Sequence, residues 1–191
     1  MKNLIVIAHP DRGSFCYNGI MKTIRETLKQ NKEDVHVIDL YKQNITFDFT
    51  KERVAEYKNL ITWADRIYFI SPVWWFRTTP ALESFFDQIF TPGFAYKFTP
   101  VTKVYGYPTP LLSDKKVRTY LTHGAPALPV LTMYLNSVKL RLVMGVYSFV
   151  FGWFKTKTRQ FWSVPFVSQT DRLVYLEQVK ADVRYDLKQK K

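Results

Sequence analysis

Cysteine, acidic residues and long apolar runs are all scarce in this chain, and each shortage narrows its class. Cys16 is the only cysteine among 191 residues, which excludes an intramolecular disulfide and points to a reducing compartment. Only three histidines accompany that thiol, and no His/Cys cluster forms a metal-ligand pattern. The longest apolar stretch, Leu142 to Phe154, is interrupted by Gly145 and Gly152 and falls short of the roughly 20 residues a spanning helix needs. The run that ends at Ala8 is too short for a signal peptide or a membrane span, so the expected location is cytoplasmic. Acids number 16 against 28 Lys and Arg, a net charge of +12. From Lys115 to Thr170 there are eight basic residues (Lys115, Lys116, Arg118, Lys139, Arg141, Lys155, Lys157, Arg159) and no acid. Such a stretch suits a phosphorylated cofactor, an anionic membrane surface or nucleic acid, or a merely solvated face. No nucleic-acid motif accompanies it, and no nucleic-acid partner is expected.

What is abundant is aromatic: 15 Phe, 12 Tyr and 5 Trp. Most must fill a core or a subunit interface, although flat cofactors also stack on such rings. The length suits one domain, residues 1–191. Short β-rich runs alternate with amphipathic stretches, the signature of an α/β fold with a parallel sheet. Leu4 to Ala8 is a continuous apolar run, as in a strand covered on both faces. Ser14 is placed to cap a helix that carries Ile20, Ile24 and Leu28 on one face. Val35 to Ile38 and Arg66 to Ile70 predict strands, separated by a helix around Glu52 to Trp63 that buries Val54, Tyr57, Leu60 and Ile61. Thr79 and Pro80 open a helix with Leu82, Phe85, Phe86, Ile89 and Phe90 on one stripe. Val117 to Thr122 predicts a fourth strand, Leu128 to about Tyr147 a helix, and Phe149 to Val164 contains a fifth strand. Thr170 is expected to cap a last helix carrying Leu173, Leu176, Val179, Val183 and Leu187. Five such units make a doubly wound, five-stranded parallel sheet with helices on both faces, whose ligand sits at the carboxyl ends of the strands.

Three loops lie at those ends. His9-Pro-Asp-Arg-Gly-Ser-Phe15 leads into a helix N-terminus, where free N–H groups and the helix dipole favour phosphate. Ser71-Pro-Val-Trp-Trp-Phe-Arg77 holds three aromatics where turn chemistry needs none. They suit either a platform for a flat ring or a subunit contact. Thr122-His-Gly-Ala-Pro126 offers close backbone approach at Gly124 and a polar side chain in His123.

The segments Ala8-His-Pro-Asp-Arg-Gly-Ser-Phe15, Pro72-Val-Trp-Trp-Phe76, Pro80-Ala-Leu-Glu-Ser-Phe-Phe-Asp-Gln-Ile-Phe90 and Gly93-Phe-Ala-Tyr96 resemble the NAD(P)H quinone reductase family with the flavodoxin-like fold. That family includes DT-diaphorase, small bacterial quinone reductases and potassium-efflux ancillary proteins. The resemblance covers about Lys2 to Thr122, and beyond it only the order of elements. It implies a flavin, FMN or FAD, with the short chain leaning towards FMN, and NADH or NADPH as co-substrate. His9, Ser14, Phe15 and Cys16 would hold the phosphate and ribityl end. Val73, Trp74, Trp75 and Phe76 would hold the isoalloxazine through amides and ring contact. Thr122, His123, Gly124 and Ala125 would approach its pyrimidine edge. Phe94, Ala95, Tyr96 and Phe98 would form the substrate wall, supplied in this family by the partner of a homodimer. His123 and Tyr96 are the candidates for catalytic roles.

The sequence departs from the family in places. Cys16 stands where Asn is common, and Thr-His-Gly-Ala-Pro replaces a Thr-Thr-Gly-Gly-like loop. Tyr134 is the candidate for the Tyr that follows that loop, and the additional His of DT-diaphorase has no counterpart. The resemblance implies hydride transfer from NAD(P)H through the bound flavin to a quinone-like acceptor by a ping-pong mechanism. An electron-carrier flavodoxin is set aside, since those are acidic and carry a Thr-x-Thr-Gly-x-Thr loop. A regulatory subunit that docks on a membrane transporter, through the acid-free stretch, is the alternative.

Overall fold

Strands β1 (Lys2–Ile7), β2 (Asp34–Asp39), β3 (Arg66–Pro72), β6 (Lys116–Thr122) and β7 (Thr156–Phe161) form one sheet in the order β2-β1-β3-β6-β7, and all its pairings are parallel. This computed structural model describes residues 1–42 and 48–189. The two central strands explain the apolar runs: β1 is buried from Asn3 onward and β3 throughout. Alternate side chains feed two cores. Leu4, Val6 and Phe69 enter a core built with Phe85, Phe86 and Phe90 of helix α3 (Pro80–Ile89) and its end. Ile5, Ile7, Tyr68 and Tyr120 enter the other core, with Ile20, Ile24 and Val183. That second face is covered by α1 (Lys22–Gln30), entered through a π-helical turn over Phe15–Met21, and by the last helix, α7 (Gln169–Lys188).

One glycine is dictated by this packing. A Cβ on Gly19 would lie 2.7 Å from the ring of Phe15 and 3.2 Å from Leu176 of α7. Only glycine lets Phe15 fold back against its own helix.

Several expectations change in detail. Helix α2 (Lys51–Trp63) fully buries only Ile61; Val54, Tyr57 and Leu60 pack half-buried against the core. Thr79 stands at the N-cap of α3 without capping it, because its hydroxyl donates instead to Ala8 O at 3.2 Å. The expected helix from Leu128 to Tyr147 is broken. α4 (Ala127–Leu131) ends before Leu135 and Asn136, both at positive φ. A second helical run then combines α5 (Ser137–Leu140), a π-helical turn Arg141–Tyr147 and α6 (Ser148–Val150). Ser168, rather than Thr170, caps α7, in a reciprocal capping box with Asp171. Leu173 is exposed and Leu176 half-buried, whereas Val179, Val183 and Leu187 further along the helix are buried.

The segment after α3 forms a hairpin, β4 (Tyr96–Pro100) paired antiparallel to β5 (Gly106–Pro110). Its prolines and glycine argue against strand, and a two-stranded ribbon outside the main sheet tolerates them because most of its edges pair with nothing. No helix among the described residues is long and apolar enough to cross a membrane.

Candidate functional site

At the carboxyl edge of the sheet the three loops converge on one cleft of about 500 Å³, lined by residues that include His9, Ser14, Phe15, Cys16, Val73, Trp74, Thr122, His123 and Gly124. The size is that of a small-molecule or cofactor site. The convergence follows from topology: β1, β3 and β6 are adjacent and parallel, so the loops that leave them must be neighbours.

The first loop is a tight, internally bonded turn. Asp11 N–H donates to His9 Nδ1 at 3.0 Å, and Asp11 Oδ1 accepts from Gly13 N–H at 2.7 Å. Ser14 Oγ caps the helix by accepting from Tyr17 N–H. The N–H groups of Phe15 and Cys16 remain without a partner among the described residues. This leaves the cleft end of the helix open to an anion. Burial lowers the pKa of His9, which favours the neutral ring. Cys16 is buried, its Sγ 3.4 Å from Thr122 Oγ1, and burial pushes its thiol up to about 12. A thiol so protonated is an inert wall of the site.

The second loop is a two-residue hairpin. Trp74 N–H donates to Arg77 O at 2.9 Å and Arg77 N–H returns to Trp74 O at 3.1 Å. The central residues are Trp75 at φ 49° and Phe76 at φ 57°. A turn of this kind favours Asn and Gly; bulky aromatics there are strained. The side chains diverge from the expected platform. Trp74 lies edge-on to His9 in the cleft, with centroids 6.2 Å apart. Phe76 meets Tyr134 at 4.1 Å on the rim. Trp75 is 90% exposed and does not line the cleft. Val73 N–H is bonded to Thr122 O at 2.8 Å, whereas the amides of Trp75 and Phe76 have no partner among the described residues.

The third loop changes the reading of His123. Its ring is buried, stacked on Trp162 at 4.3 Å, with Nε2 3.0 Å from Gln160 Oε1. Burial lowers its pKa to about 4, so the imidazole is neutral near pH 7. With Gln160 Oε1 as acceptor, Nε2 carries the ring proton and is engaged within the protein. Its backbone N–H is bonded to Phe161 O at 2.8 Å. Gly124 and Ala125 keep unpartnered N–H groups among the described residues. A Cβ at Gly124 would meet nothing within 4 Å, so protein packing does not demand glycine there and the open space belongs to the cleft.

Sequence reasoning missed Arg172. It lies in the first turn of α7 and lines the cleft with Val164 and Pro165. Nη2 donates to Val164 O at 3.0 Å, and Nε is buried without a partner. A buried, unpartnered Nε on a half-buried guanidinium is a costly arrangement that an anion would relieve. No local motif marks this arginine; only the return of α7 beside the first loop brings it in.

The expected substrate wall lies elsewhere in the chain. Tyr96 and Phe98 line a separate groove of about 280 Å³ with Phe86, Phe90, Pro108 and Phe149. Phe94 is half-buried under the Lys58 ammonium, 5.2 Å from its ring. Ala95 is fully buried in the core and has no surface to offer a substrate. No group of acids, histidines or cysteine suited to a metal ion occurs among the described residues.

Comparison with known proteins agrees with this architecture. An NAD(P)H oxidoreductase of Haemophilus influenzae is 26% identical over 137 residues, 65% of each chain. The Bacillus subtilis NAD(P)H oxidoreductase YrkL is 34% identical over 108 residues, 56% of each. The match thus spans somewhat less than two thirds of these relatives. The crystal structure of Smu.1420 from Streptococcus mutans superposes with a TM-score of 0.82 at 25% identity, over 97% of this chain and all of that one. A Bacillus anthracis FMN-dependent NADH-azoreductase, solved with FMN, has the same fold, with a TM-score of 0.78 at 17% identity over 97% and 99% of the two chains. Residues 1–140 match the family model described as flavodoxin-like fold, and the chain belongs to that family.

Proposed function

We propose that the protein is an FMN-dependent NAD(P)H oxidoreductase acting on quinone-like acceptors. The carrying observation is one cleft lined both by the unpartnered Phe15, Cys16 and Gly124 amides of the first and third loops and by Arg172, whose Nε has no partner among the described residues. Relatives named NAD(P)H oxidoreductase and FMN-dependent NADH:quinone oxidoreductase support the reading. When bound, FMN would supply the two-electron chemistry that links the nicotinamide to the acceptor.

The chain's own residues would do the rest. Phe15 and Cys16 N–H, with Arg172, would hold the phosphate. Trp75 and Phe76 N–H would hold one edge of the ring, and Gly124 and Ala125 N–H would stabilise negative charge at the other, as an oxyanion hole does. Neutral His123 would keep its loop in place against Trp162 and Gln160 and add no positive charge. Trp74 would flank the ring, and Val164 and Pro165 would exclude water.

A second copy of the chain would complete the site. Leu128, Leu131, Met133 and Leu135 are exposed in the same chain segment as Tyr134, which meets Phe76, and exposed apolar side chains grouped in this way mark a partner surface. Tyr96 and Phe98, which do not line their own chain's cleft, would wall the partner's. The test is cofactor retention. Purified protein should be yellow, with FMN identified by mass, and FMN at about one hundred times its Kd should stabilise it by about 2.7 kcal/mol. Colourless protein that gains no stability from FMN or FAD would reject the reading.

A further inference from the structure

We propose that the β4–β5 hairpin tip and the Trp153–Lys155 turn together form a surface that seats the protein on an anionic lipid bilayer. The acid-free stretch suggests a broad basic face, but the fold disperses it. Arg118 and Arg159 are held by Asp186 and Asp182, Lys157 lies 3.9 Å from Asp186, and Arg141 pairs with Glu83. Lys97 and Lys103 of the hairpin and Lys155 of the turn are exposed and have no ion-pair partner among the described residues. The sequence has no Asp or Glu from Gln88 to Ser113, or from Lys115 to Thr170; Asp114 between them pairs with Lys115.

Among these lysines stand the most exposed apolar side chains of the described chain. Val104 is 95% and Phe154 98% exposed, with Val101, Tyr105 and Trp153 beside them. The two segments are joined: Trp153 Nε1 donates to Tyr107 Oη at 3.2 Å, and Tyr107 meets Phe149 edge-on at 5.8 Å. Phe154 holds φ 62°, a conformation that disfavours a bulky residue, and its ring gains no burial in exchange. Apolar and aromatic tips that project between lysines suit the headgroup boundary, where rings insert and ammonium groups meet lipid phosphates. A second copy of the chain is the poorer occupant, because opposing these surfaces would set lysines against lysines. The docking itself does not depend on the proposed activity.

Sedimentation with large unilamellar vesicles tests it. The protein should partition onto vesicles of phosphatidylglycerol and phosphatidylcholine, release in high salt, and ignore pure phosphatidylcholine. The double variant Val104→Ser/Phe154→Ser should lower the partition coefficient by about tenfold or more at unchanged Tm, since two apolar side chains lose their burial in lipid. Lys103→Glu/Lys155→Glu should abolish the preference for phosphatidylglycerol. Three results overturn the proposal: no partitioning of the unaltered protein, equal partitioning of the serine variant, or a serine variant that turns a dimer into a monomer by light scattering. The last would assign the surface to a second copy.

Discussion

The two ends of the sheet treat polar groups in opposite ways. Towards the amino ends of β3 and β6, charges are sealed inside and paired. Arg118 makes two bonds to Asp186, at 2.6 and 2.7 Å, and a third contact to Asp182 at 3.2 Å. Arg66 donates to Asp186 O. At the carboxyl ends, donors lack partners among the described residues: the Phe15, Cys16 and Gly124 amides and Arg172 Nε. The first end fastens α7 to the sheet, and the second is left incomplete for a ligand. The amino end is not perfectly closed, since Tyr68 Oη, Tyr120 Oη and Arg66 Nη1 are buried without partners, a cluster suited to bridging water. What distinguishes the ends is that the sealed charges have protein partners, while the cleft's donors await an external one.

The sharpest way to break this contrast is Arg118→Met. It removes the main partner of the buried Asp186 and leaves that carboxylate only Lys157, 3.9 Å away, at a cost of about 3–5 kcal/mol. Denaturant unfolding should show that loss, while FMN affinity in folded protein stays unchanged. A parallel fall in affinity would mean that the two ends are coupled.

A smaller effect, about 3 kcal/mol, comes from pH. The folded pKa of His123 is depressed to about 4 by burial, against an unfolded value of about 6.5. Below pH 6.5 the unfolded chain binds a proton that the folded one refuses, so this contribution is lost as pH falls from about 6.5 to 4 and then levels. Stability against pH in His123→Phe should lack that component of the slope. An identical slope would mean that the ring already titrates near its ordinary value.

Arg172→Met sharpens the cleft's side. A charged hydrogen bond contributes about 2 kcal/mol, roughly thirtyfold in affinity. FMN binding should weaken by that factor and riboflavin binding should not, since only FMN carries the phosphate. Equal losses for both flavins would show that Arg172 supports the loop through Val164 and contacts no phosphate.

The sequence made the sheet and the cleft legible for different reasons. β1 and β3 stood out because burial on both faces demands an unbroken apolar run, and α3 because its stripe is wide. The loops at their ends followed from chain direction. The hairpin stayed hidden because Pro100, Pro108 and Gly106 contradict strand propensity, and the break at Leu135–Asn136 because neither residue is a glycine. At the site, residue type misled once and was silent once. His123 reads as a polar handle, but its ring is turned onto Trp162 and Gln160. Arg172 carries no signal of its own in the sequence, and only tertiary packing brings it to the cleft.

Trp75 is where the reading of the ring and the reading of the backbone part most plainly. A flavin platform would require the indole in the cleft, and truncating it would then cost on the order of 1–3 kcal/mol of stacking. The ring instead points away, 90% exposed, on a residue held at φ 49°, where a side chain costs about 1 kcal/mol relative to glycine. Only its amide remains available to the site. Trp75→Gly keeps that amide and relieves the strain, so it should leave FMN affinity within about twofold and raise the stability of the isolated chain by about 1 kcal/mol. Calorimetry and FMN titration on one preparation decide between the readings. A tenfold loss of FMN affinity without a gain in stability would return the indole to the cofactor. A variant that instead dissociates in light scattering would assign the ring to the contact between subunits.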